Sequence, residues 1–579
     1  MPGIYKIAAL SLSLLFFFSC SKKEETLISN NTVVQQDTTV TIKPGVDPAV
    51  ATTVGFFLEK WQSKTFVAPN YTDETVIATA DNTVTIDAAD VIAKIPVQIF
   101  GHNSNTWMGT FVDQPSFMTD ITNLKPNVIR WPAGSGSDGY FWNLKPGDVP
   151  DGAPTQYMDN TGKLYPAWYG YGQSTDNWRA SLSNYYSMLQ QSNTKGIITA
   201  NYGFARYGTS ANPVATAAHL AADWVRFDNG RTEYWEIGNE NYGDWEVGYR
   251  IDTTKNRDRQ PEFLTGKLYA QHFKIFADSM RKAAAEVGTK IKIGAVMQES
   301  QTQSWQTVTT RTWNSTLIPE LQNKADFYIV HNYITPFGEN STASTILNSA
   351  LAVPSQMMNF CTSELISFGG EIKPFAFTEW NMWAQNSKQQ VSNVSGLFAM
   401  IVQAEAIKNH YGLAARWDLL NGYNNGDDHG LFSDGGSTDD PRWNPRPSFY
   451  YMYYFQKFIG DRLVSTNVQG TTNVKAYAST YSSGQANVTL INTANTPQTF
   501  EIKTKNFLYG NRFYWYNLEG STDNGEFSRK VIVNGSYPNG VAGGPANYAS
   551  LKARSASTSY GMKITVPALG SVCVLIEKK

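Results

Sequence analysis

The segment Tyr234-Trp235-Glu236-Ile237-Gly238 is a short apolar run of the kind that forms a buried β-strand. In the stretch that follows, large apolar side chains recur at helical spacing between residues 264 and 280, and Gly288 is placed to end that helix. A second apolar run, Ile291–Val296, comes next. This order of strand, helix and strand predicts a parallel βαβ unit.

The same alternation repeats over residues 96–420, which indicates an α/β fold with a parallel sheet. Eight such runs favour a closed (β/α)8, or TIM, barrel with enlarged loops. The alternative is an open doubly wound sheet, but no G-x-G-x-x-G segment opens a helix after the first strand. The predicted strands are Val97–Gly101, Val128–Trp131, Gly196–Ala200, Tyr234–Gly238, Ile291–Val296, Phe327–Val330, Phe375–Thr378 and Ala414–Leu419.

From about residue 460 the chain has a different residue pattern. Short β-prone runs there are separated by Gly, Asn, Pro and Ser, which is typical of an antiparallel β-sandwich. We therefore assign residues 55–455 to the barrel with an N-terminal extension, and residues 456–579 to a C-terminal sandwich. The segment Gly55–Ile92 could add strands to either unit.

The beginning of the chain has the features of an export signal. Lys6 precedes an apolar run, Ile7–Phe18, which is too short to span a bilayer. Ser19-Cys20 resembles the cleavage site of bacterial lipoproteins, so we expect a signal peptide at 1–19, a lipid on Cys20 and a tether at 20–54. These features predict a lipoprotein held to the outer membrane of a Gram-negative bacterium by that lipid.

Charge and composition limit the kinds of partner. The 579 residues include 47 Lys and Arg against 49 Asp and Glu, a net charge of −2. Because no basic excess is available to hold a phosphate backbone, we expect no nucleic-acid partner. Aromatic residues are 13% of the chain, and their flat faces suit ligands such as sugar rings.

Two predicted strands end in a glutamate. Strand four runs into Gly238-Asn239-Glu240, and strand seven runs into Thr378-Glu379-Trp380. In a (β/α)8 barrel the carboxyl ends of the strands form the active-site rim, so both carboxyl groups are expected there. Cleavage of a glycosidic bond with retention needs two carboxyls about 5–5.5 Å apart. Jointly, Glu240 and Glu379 therefore predict a retaining glycosidase, although either alone could be a structural residue.

The segments around these glutamates resemble a known group of enzymes. Residues 235–240, WEIGNE, look like the acid/base motif of clan A glycoside hydrolases, and residues 378–380, TEW, resemble the nucleophile motif of that clan. Residues 129–136, IRWPAGSG, are similar to a strand-two run of family fifty-one α-L-arabinofuranosidases. In that run Ala133 and Ser135 replace a glycine and an asparagine of the family, so the resemblance does not fix the sugar.

The resemblance implies a role for each matching position. Glu379 would be the nucleophile and Glu240 the acid/base, whose pKa the charge of Glu379 is expected to raise. Arg130 would pair with a carboxylate at the barrel mouth and keep Glu379 ionised. The remaining predicted substrate-binding residues are Asn103, Asn239, His331, Tyr333, Trp380 and Trp417.

Aromatic residues also crowd the long loops after strands one and two. As a group they suggest a cleft with sugar subsites, although packing against the barrel rim is the simpler explanation for any one of them. These residues are Trp107, Trp142, Trp168, Tyr169, Tyr171 and Trp178.

The predicted function is a carbohydrate-cleaving enzyme that needs no cofactor and no metal. Asp427-Asp428-His429 could suggest an ion site, but no second cluster supplies the remaining ligands. The best prediction is an enzyme like an α-L-arabinofuranosidase, acting on plant or algal glycans. An endo-acting β-glycanase of the same clan is the main alternative. A non-catalytic surface glycan-binding lipoprotein is a remote one, because it would be expected to have lost one carboxylate.

Overall fold

Eight parallel strands close into a barrel in the computed structural model, which describes residues 41–579 except 78, 133, 384–388, 423–428, 437–439 and 524. Each strand pairs with the next one along the chain, and the eighth pairs with the first. The predicted barrel is confirmed, and the open sheet is excluded. Barrel strands one to eight are Gly101–Asn103, Val128–Trp131, Lys195–Ala200, Thr232–Ile237, Lys292–Val296, Phe327–Tyr333, Phe375–Asn381 and Leu413–Arg416.

The strand bounds differ from the predicted ones where it matters for function. Residues 97–99 form a short 3-10 helix, so strand one begins only at Gly101. Strands six and seven continue to Tyr333 and Asn381, because residues 331–333 pair with residues 379–381 after a register shift at Val330. Residues expected in loops beyond these two strands therefore lie on the strands themselves.

Helices cover the outside of the barrel. In the α-helix Gly266–Glu286, the Thr265 side chain accepts a hydrogen bond from Leu268 N, and Gly288 follows the helix at φ +70°. The other α-helices of the described residues are Pro115–Leu124, Leu182–Ser192, Gly203–Tyr207, Pro213–Asp228, Val308–Leu321, Ala343–Ser367, Asn393–Lys408 and Pro447–Phe458. Short strand pairs in the loops are Tyr140–Phe141 with Gly170–Tyr171, Gln156–Met158 with Leu164–Pro166, and Leu420–Asn421 with Phe432–Ser433.

The C-terminal part is a β-rich domain, as predicted. One sheet of 11 strands is mostly antiparallel. Apolar side chains from strands at or near its two opposite edges pack into a single core. The helix Asn393–Lys408 is buried nearly all round because it lies between the barrel and this sheet. The strands are Tyr71–Asp73, Asn82–Lys94, Arg462–Gln469, Val474–Thr480, Ala486–Asn492, Gln498–Lys505, Tyr509–Gly520, Val531–Val533, Ala553–Ser557, Met562–Val566 and Gly570–Lys578.

Two strands of the N-terminal extension belong to this sheet and not to the barrel. The strand Asn82–Lys94 pairs antiparallel with Arg462–Gln469 and parallel with Gln498–Lys505. The strand Tyr71–Asp73 pairs parallel with Ala553–Ser557 at one edge. The prediction that residues 55–455 form one barrel unit is therefore corrected for these two strands, and the sheet is not purely antiparallel.

The predicted lipid attachment site lies outside the described residues. Residues 1–40, which include Cys20 and the predicted signal peptide, are not described. Within residues 41–579, apart from the gaps given above, no helix combines the length and apolar character that a bilayer crossing requires.

Candidate active site

A strained turn presents Glu240 at the end of strand four. Glu240 itself has φ +44°, in the left-handed region that residues other than glycine seldom adopt. Gly238, two residues earlier, has φ +77°, and a Cβ there would lie 2.0 Å from Asn241 Oδ1. Asn241 Nδ2 in turn donates to Asp138 Oδ2 at 2.7 Å. The turn is thus held by a buried carboxyl from the strand-two loop and orients Glu240 toward the barrel axis.

Glu240 and Glu379 meet at the barrel rim. One oxygen of each carboxyl and one ring nitrogen of His331 all lie within 4.8 Å of one another. His331 Nδ1 is 3.1 Å from Glu240 Oε1 and 3.7 Å from Glu379 Oε2. This separation of the carboxyls suits a retaining mechanism and is too short for the roughly 6.5–9.5 Å of an inverting one.

Arg130 connects the pair to the base of the site. Its Nε donates to Glu236 Oε2 at 2.6 Å, and its Nη1 donates to Glu379 Oε2 and to Asn103 Oδ1, both at 3.1 Å. Its Nη2 donates to Asn239 Oδ1 at 2.8 Å. Arg130 is fully buried, so these bonds satisfy a guanidinium that water cannot reach. The structure thus joins Arg130 to Glu379, as the sequence predicted.

The side chain of Asn239 has a fixed orientation. Its Oδ1 accepts from Arg130, while its Nδ2 donates to Glu246 Oε1 at 3.0 Å. Ser135 Oγ donates to the same Glu246 oxygen at 2.6 Å. An amide nitrogen carries two hydrogens, so within the described residues Asn239 keeps one for a ligand.

Each catalytic candidate has a further donor. Tyr333 Oη donates to Glu379 Oε1 at 2.6 Å, and Trp245 Nε1 donates to Glu240 Oε2 at 3.1 Å. His331 Nε2 lies 3.0 Å from Thr378 Oγ1, which fixes the imidazole ring between the two glutamates. The structure therefore brings His331 and Tyr333 into the site, where the sequence predicted them.

The pKa order of the two glutamates differs from the expected one. Burial raises the pKa of Glu240, but the hydrogen bond and charge of His331 outweigh it, so this pKa is lowered. Burial and the charge of Glu240 raise the pKa of Glu379. His331, Arg130 and the Tyr333 hydrogen bond oppose that rise. The sequence could not supply the contact with His331 that reverses the order.

Tyr333→Phe is expected to shift the acidic limb of the pH profile. The Tyr333 hydrogen bond favours the ionised form of Glu379, so its removal raises the pKa of that carboxyl. A nucleophile must be ionised, so we expect kcat/KM to fall about 10-fold at acidic pH and less at neutral pH. The measurement is kcat/KM from pH 4 to 9. A profile that is merely lowered, with no shift of its acidic limb, would contradict this role.

Two predicted substrate-binding residues do not line the site. Trp380 is fully buried and packs against Phe377 and Phe398, outside the barrel wall, so the prediction that it supports a sugar is wrong. Asn103 is also fully buried, and its Nδ2 donates to the backbone oxygen of Thr378 at 2.8 Å. Asn103 thus positions Arg130 and strand seven instead of touching a ligand.

Trp417 stays a candidate platform beside the nucleophile. A Cβ at Gly134 would lie 3.3 Å from the Trp417 ring and 3.4 Å from Glu379 Oε2. The ring and the carboxylate are therefore both next to Gly134. Asn381 Nδ2 donates to the backbone oxygen of Trp417 at 2.6 Å and fixes that segment. This placement is the one that the sequence predicted for Trp417.

Three neighbours of the catalytic candidates were not predicted from the sequence. Glu236 lies within the quoted strand-four motif, and Trp245 and Glu246 follow Glu240 by five and six residues. Burial, with the charges of Asp138 and Glu240, raises the pKa of Glu246 well above its usual range. Their short spacing from Glu240 was the available signal, but only the fold shows that the chain turns back toward the site.

One group of described residues is close enough to hold a metal ion, and it comprises Glu240, His331 and Glu379 themselves. The site is thus the predicted catalytic pair with its histidine. Asp427 and Asp428 lie outside the described residues. The expectation that neither metal nor cofactor takes part stays a prediction.

Two glutamates that meet at the carboxyl-end rim of a (β/α)8 barrel, at this distance, form the arrangement that retaining glycosidases use. No family model matches the sequence. Two curated proteins are similar to it, each an intracellular exo-α-(1→5)-L-arabinofuranosidase. The one from Streptomyces lividans is 21% identical over 335 residues (53% of this chain, 45% of that protein), and the one from Bifidobacterium longum is 22% identical over 351 residues (53% and 55%).

Solved structures share the fold over most of the chain. The α-L-arabinofuranosidase of Thermotoga maritima, in complex with arabinose, superposes with a TM-score of 0.60 at 15% identity, covering 86% of this chain and 100% of the other. A Paenibacillus polymyxa xyloglucanase of glycoside hydrolase family 44 gives 0.54 at 10% identity, covering 86% and 99%. The predicted resemblance to arabinofuranosidases is thus confirmed as a distant similarity of sequence and structure. The chain spans about half the length of the curated relatives that it matches.

These comparisons correct the predicted location. Both curated relatives are named intracellular enzymes, which points away from a lipoprotein anchored in the outer membrane. The short apolar run followed by Ser19-Cys20 was the reason for that prediction. Such a pattern depends on a few residues near the chain start, and nothing in the barrel or its site requires it.

Proposed function

We propose that this protein hydrolyses glycosidic bonds with retention of anomeric configuration, by a double displacement at Glu379 and Glu240. The observation that carries the proposal is the approach of the two carboxyls to within 4.8 Å at the barrel rim. Their environment supports two different roles. Glu379 is held by Arg130 and Tyr333, whereas Glu240 is held by His331 and Trp245.

In the first step Glu379 attacks the anomeric carbon while the bond to the leaving oxygen breaks. Arg130 and Tyr333 donate to opposite oxygens of Glu379, which orients the carboxyl and favours its ionised form. Glu240 gives a proton to the leaving oxygen. His331 Nδ1 lies 3.1 Å from Glu240 Oε1 and orients the carboxyl for this transfer.

In the second step water releases the sugar from Glu379. Glu240 removes a proton from the water while the water oxygen attacks the anomeric carbon, and the ester bond to Glu379 breaks. The charge on Glu379 is absent while the ester exists, which lowers the pKa of Glu240 and suits it to act as a base. Asn239 uses its remaining amide hydrogen to hold the hydroxyl beside the anomeric carbon.

For the substrate we propose α-L-arabinofuranosides as the first candidate. Both curated relatives are named arabinofuranosidases, and the motifs around strands two, four and seven resemble that family. An endo-acting β-glycanase is the second candidate. It is favoured by exposed tryptophans on the rim loops and by the fold shared with a xyloglucanase.

The test is a substrate panel with the purified protein. It contains 4-nitrophenyl α-L-arabinofuranoside, β-xyloside and β-glucoside, together with arabinan, arabinoxylan, xyloglucan and β-glucan. We expect hydrolysis of the arabinofuranoside, with a first-formed product of the same anomeric configuration by proton NMR. Cleavage of only polysaccharide backbones would favour the second candidate. Inverted product, or no hydrolysis of any of these compounds, would overturn the proposal.

A further inference from the structure

The exposed tryptophans of the described residues all lie near the catalytic rim. They follow barrel strands one, two, four and five, whose carboxyl ends carry the site. An exposed indole leaves a large apolar surface in water, and clustering of such rings marks a binding surface. The residues are Trp107, Trp168, Trp178, Trp245 and Trp305, with 39–81% of their surface exposed.

Some of the loop aromatics have structural explanations. Trp142 donates to Leu220 O and stacks on Trp224 at 6.1 Å, so it packs the loop against a helix. Trp168 lies against Gly139, where a Cβ would come within 2.5 Å of its ring, and contacts Tyr157. These two rings therefore need no ligand to account for them.

Trp107 and Trp178 are different, because their segments connect to the residue that borders the nucleophile candidate. The Trp107 ring meets the Trp417 ring edge-on at 6.2 Å, and Trp417 borders Glu379. Two backbone bonds, Thr110 N to Asn177 O and Ala180 N to Thr106 O, join the segments that carry Trp107 and Trp178. We call Trp417, Trp107 and Trp178 the tryptophan arm.

The outer end of the arm is held in place. The Arg179 guanidinium lies 4.1 Å from the centroid of the Trp178 ring and supports it, while 55% of the Trp178 surface is exposed. Gly109 has φ +72°, and a Cβ there would lie 2.9 Å from Asn177 O. The glycine thus allows the two segments to approach closely. A flat ring that is fixed before binding loses little conformational entropy when a ligand stacks on it.

We propose that the tryptophan arm binds further sugar residues of the chain that is cut, so that the protein cleaves polymeric glycans more efficiently than small glycosides. Sugar rings offer apolar C–H faces that stack on indole, and the Trp417 end of the arm borders Glu379. This inference rests on the proposed function and adds that the preferred substrate is a polymer.

The test compares Trp178→Ala with Trp178→Phe, and with Tyr537→Ala as a control. Tyr537 is 65% exposed and follows the strand Val531–Val533 of the β-rich domain. Kinetics are measured on the aryl glycoside and on the polysaccharide that the wild type cleaves best. Binding is measured by affinity electrophoresis in gels containing arabinan, arabinoxylan or xyloglucan.

For Trp178→Ala we expect kcat/KM on polysaccharide to fall about 10-fold, a loss of gel retardation, and aryl glycoside rates within about 2-fold of wild type. Trp178→Phe keeps a flat ring and should retain most of the polysaccharide rate, and Tyr537→Ala should match wild type. Unchanged polysaccharide rates and retardation in Trp178→Ala, or equal losses on both substrates, would overturn the proposal that the tryptophan arm binds the sugar chain. Failure of the wild type on every glycoside would instead overturn the proposed function.

Discussion

Glu379→Ala is expected to reduce turnover by several orders of magnitude, with the protein still folded. The carboxylate supplies the bond to the anomeric carbon, and no other described carboxyl lies as close to Glu240 and His331. Alanine leaves a small space lined by Arg130 and Tyr333. Azide can enter this space and attack the same carbon, so added azide should restore part of the rate and give a glycosyl azide of inverted configuration.

The measurement is the rate on an activated aryl glycoside with and without azide, and the product configuration by NMR. Glu371→Ala is the matched control, because Glu371 precedes the opposite end of the same strand and is exposed. Near-wild-type rates in Glu379→Ala would rule out the nucleophile role. An azide product with retained configuration would also do so, since the attack would then have come from elsewhere.

Glu240→Ala is expected to produce losses that depend on the leaving group. Protonation matters most when the leaving oxygen is basic, so alkyl glycosides and natural sugars should lose about 10³-fold or more in kcat/KM. Dinitrophenyl glycosides leave without a proton and should lose far less in the first step. The measurement is the slope of log kcat/KM against the leaving-group pKa, which should become steeper in the variant.

Glu233→Ala provides the control for this experiment. Glu233 lies near the start of strand four, where it pairs with Lys60, and it takes no part in the site. The slope of log kcat/KM against leaving-group pKa for Glu233→Ala should equal that of the wild type. An equal loss on good and poor leaving groups in Glu240→Ala would move the acid role to another residue.

The sequence could predict the parts of the site that depend on local pattern. Glu240 and Glu379 each end an apolar run, and barrel closure brings strand ends to one rim whatever the loops do. Arg130, His331 and Tyr333 were expected from the resemblance to clan A enzymes, and they lie on strands two and six.

What could not be predicted depended on which way a side chain faces. Successive side chains on a strand point to opposite sides, so extending strand seven to Asn381 placed Trp380 against the helices. The pKa order of the glutamates depended on a 3.1 Å contact with His331 from a third strand. The partner of the strand Asn82–Lys94 lies more than 360 residues away, and no local pattern indicates it.

That last pairing limits how this molecule can be divided. Because Asn82–Lys94 sits between Arg462–Gln469 and Gln498–Lys505, a fragment starting at residue 456 would have a gap in the middle of its sheet. The unpaired backbone on both sides of that gap would invite aggregation. Expression trials and fusions should therefore treat residues 47–579 as a single indivisible module, because Asp47 pairs with Arg462 and Phe57 is buried in the barrel core.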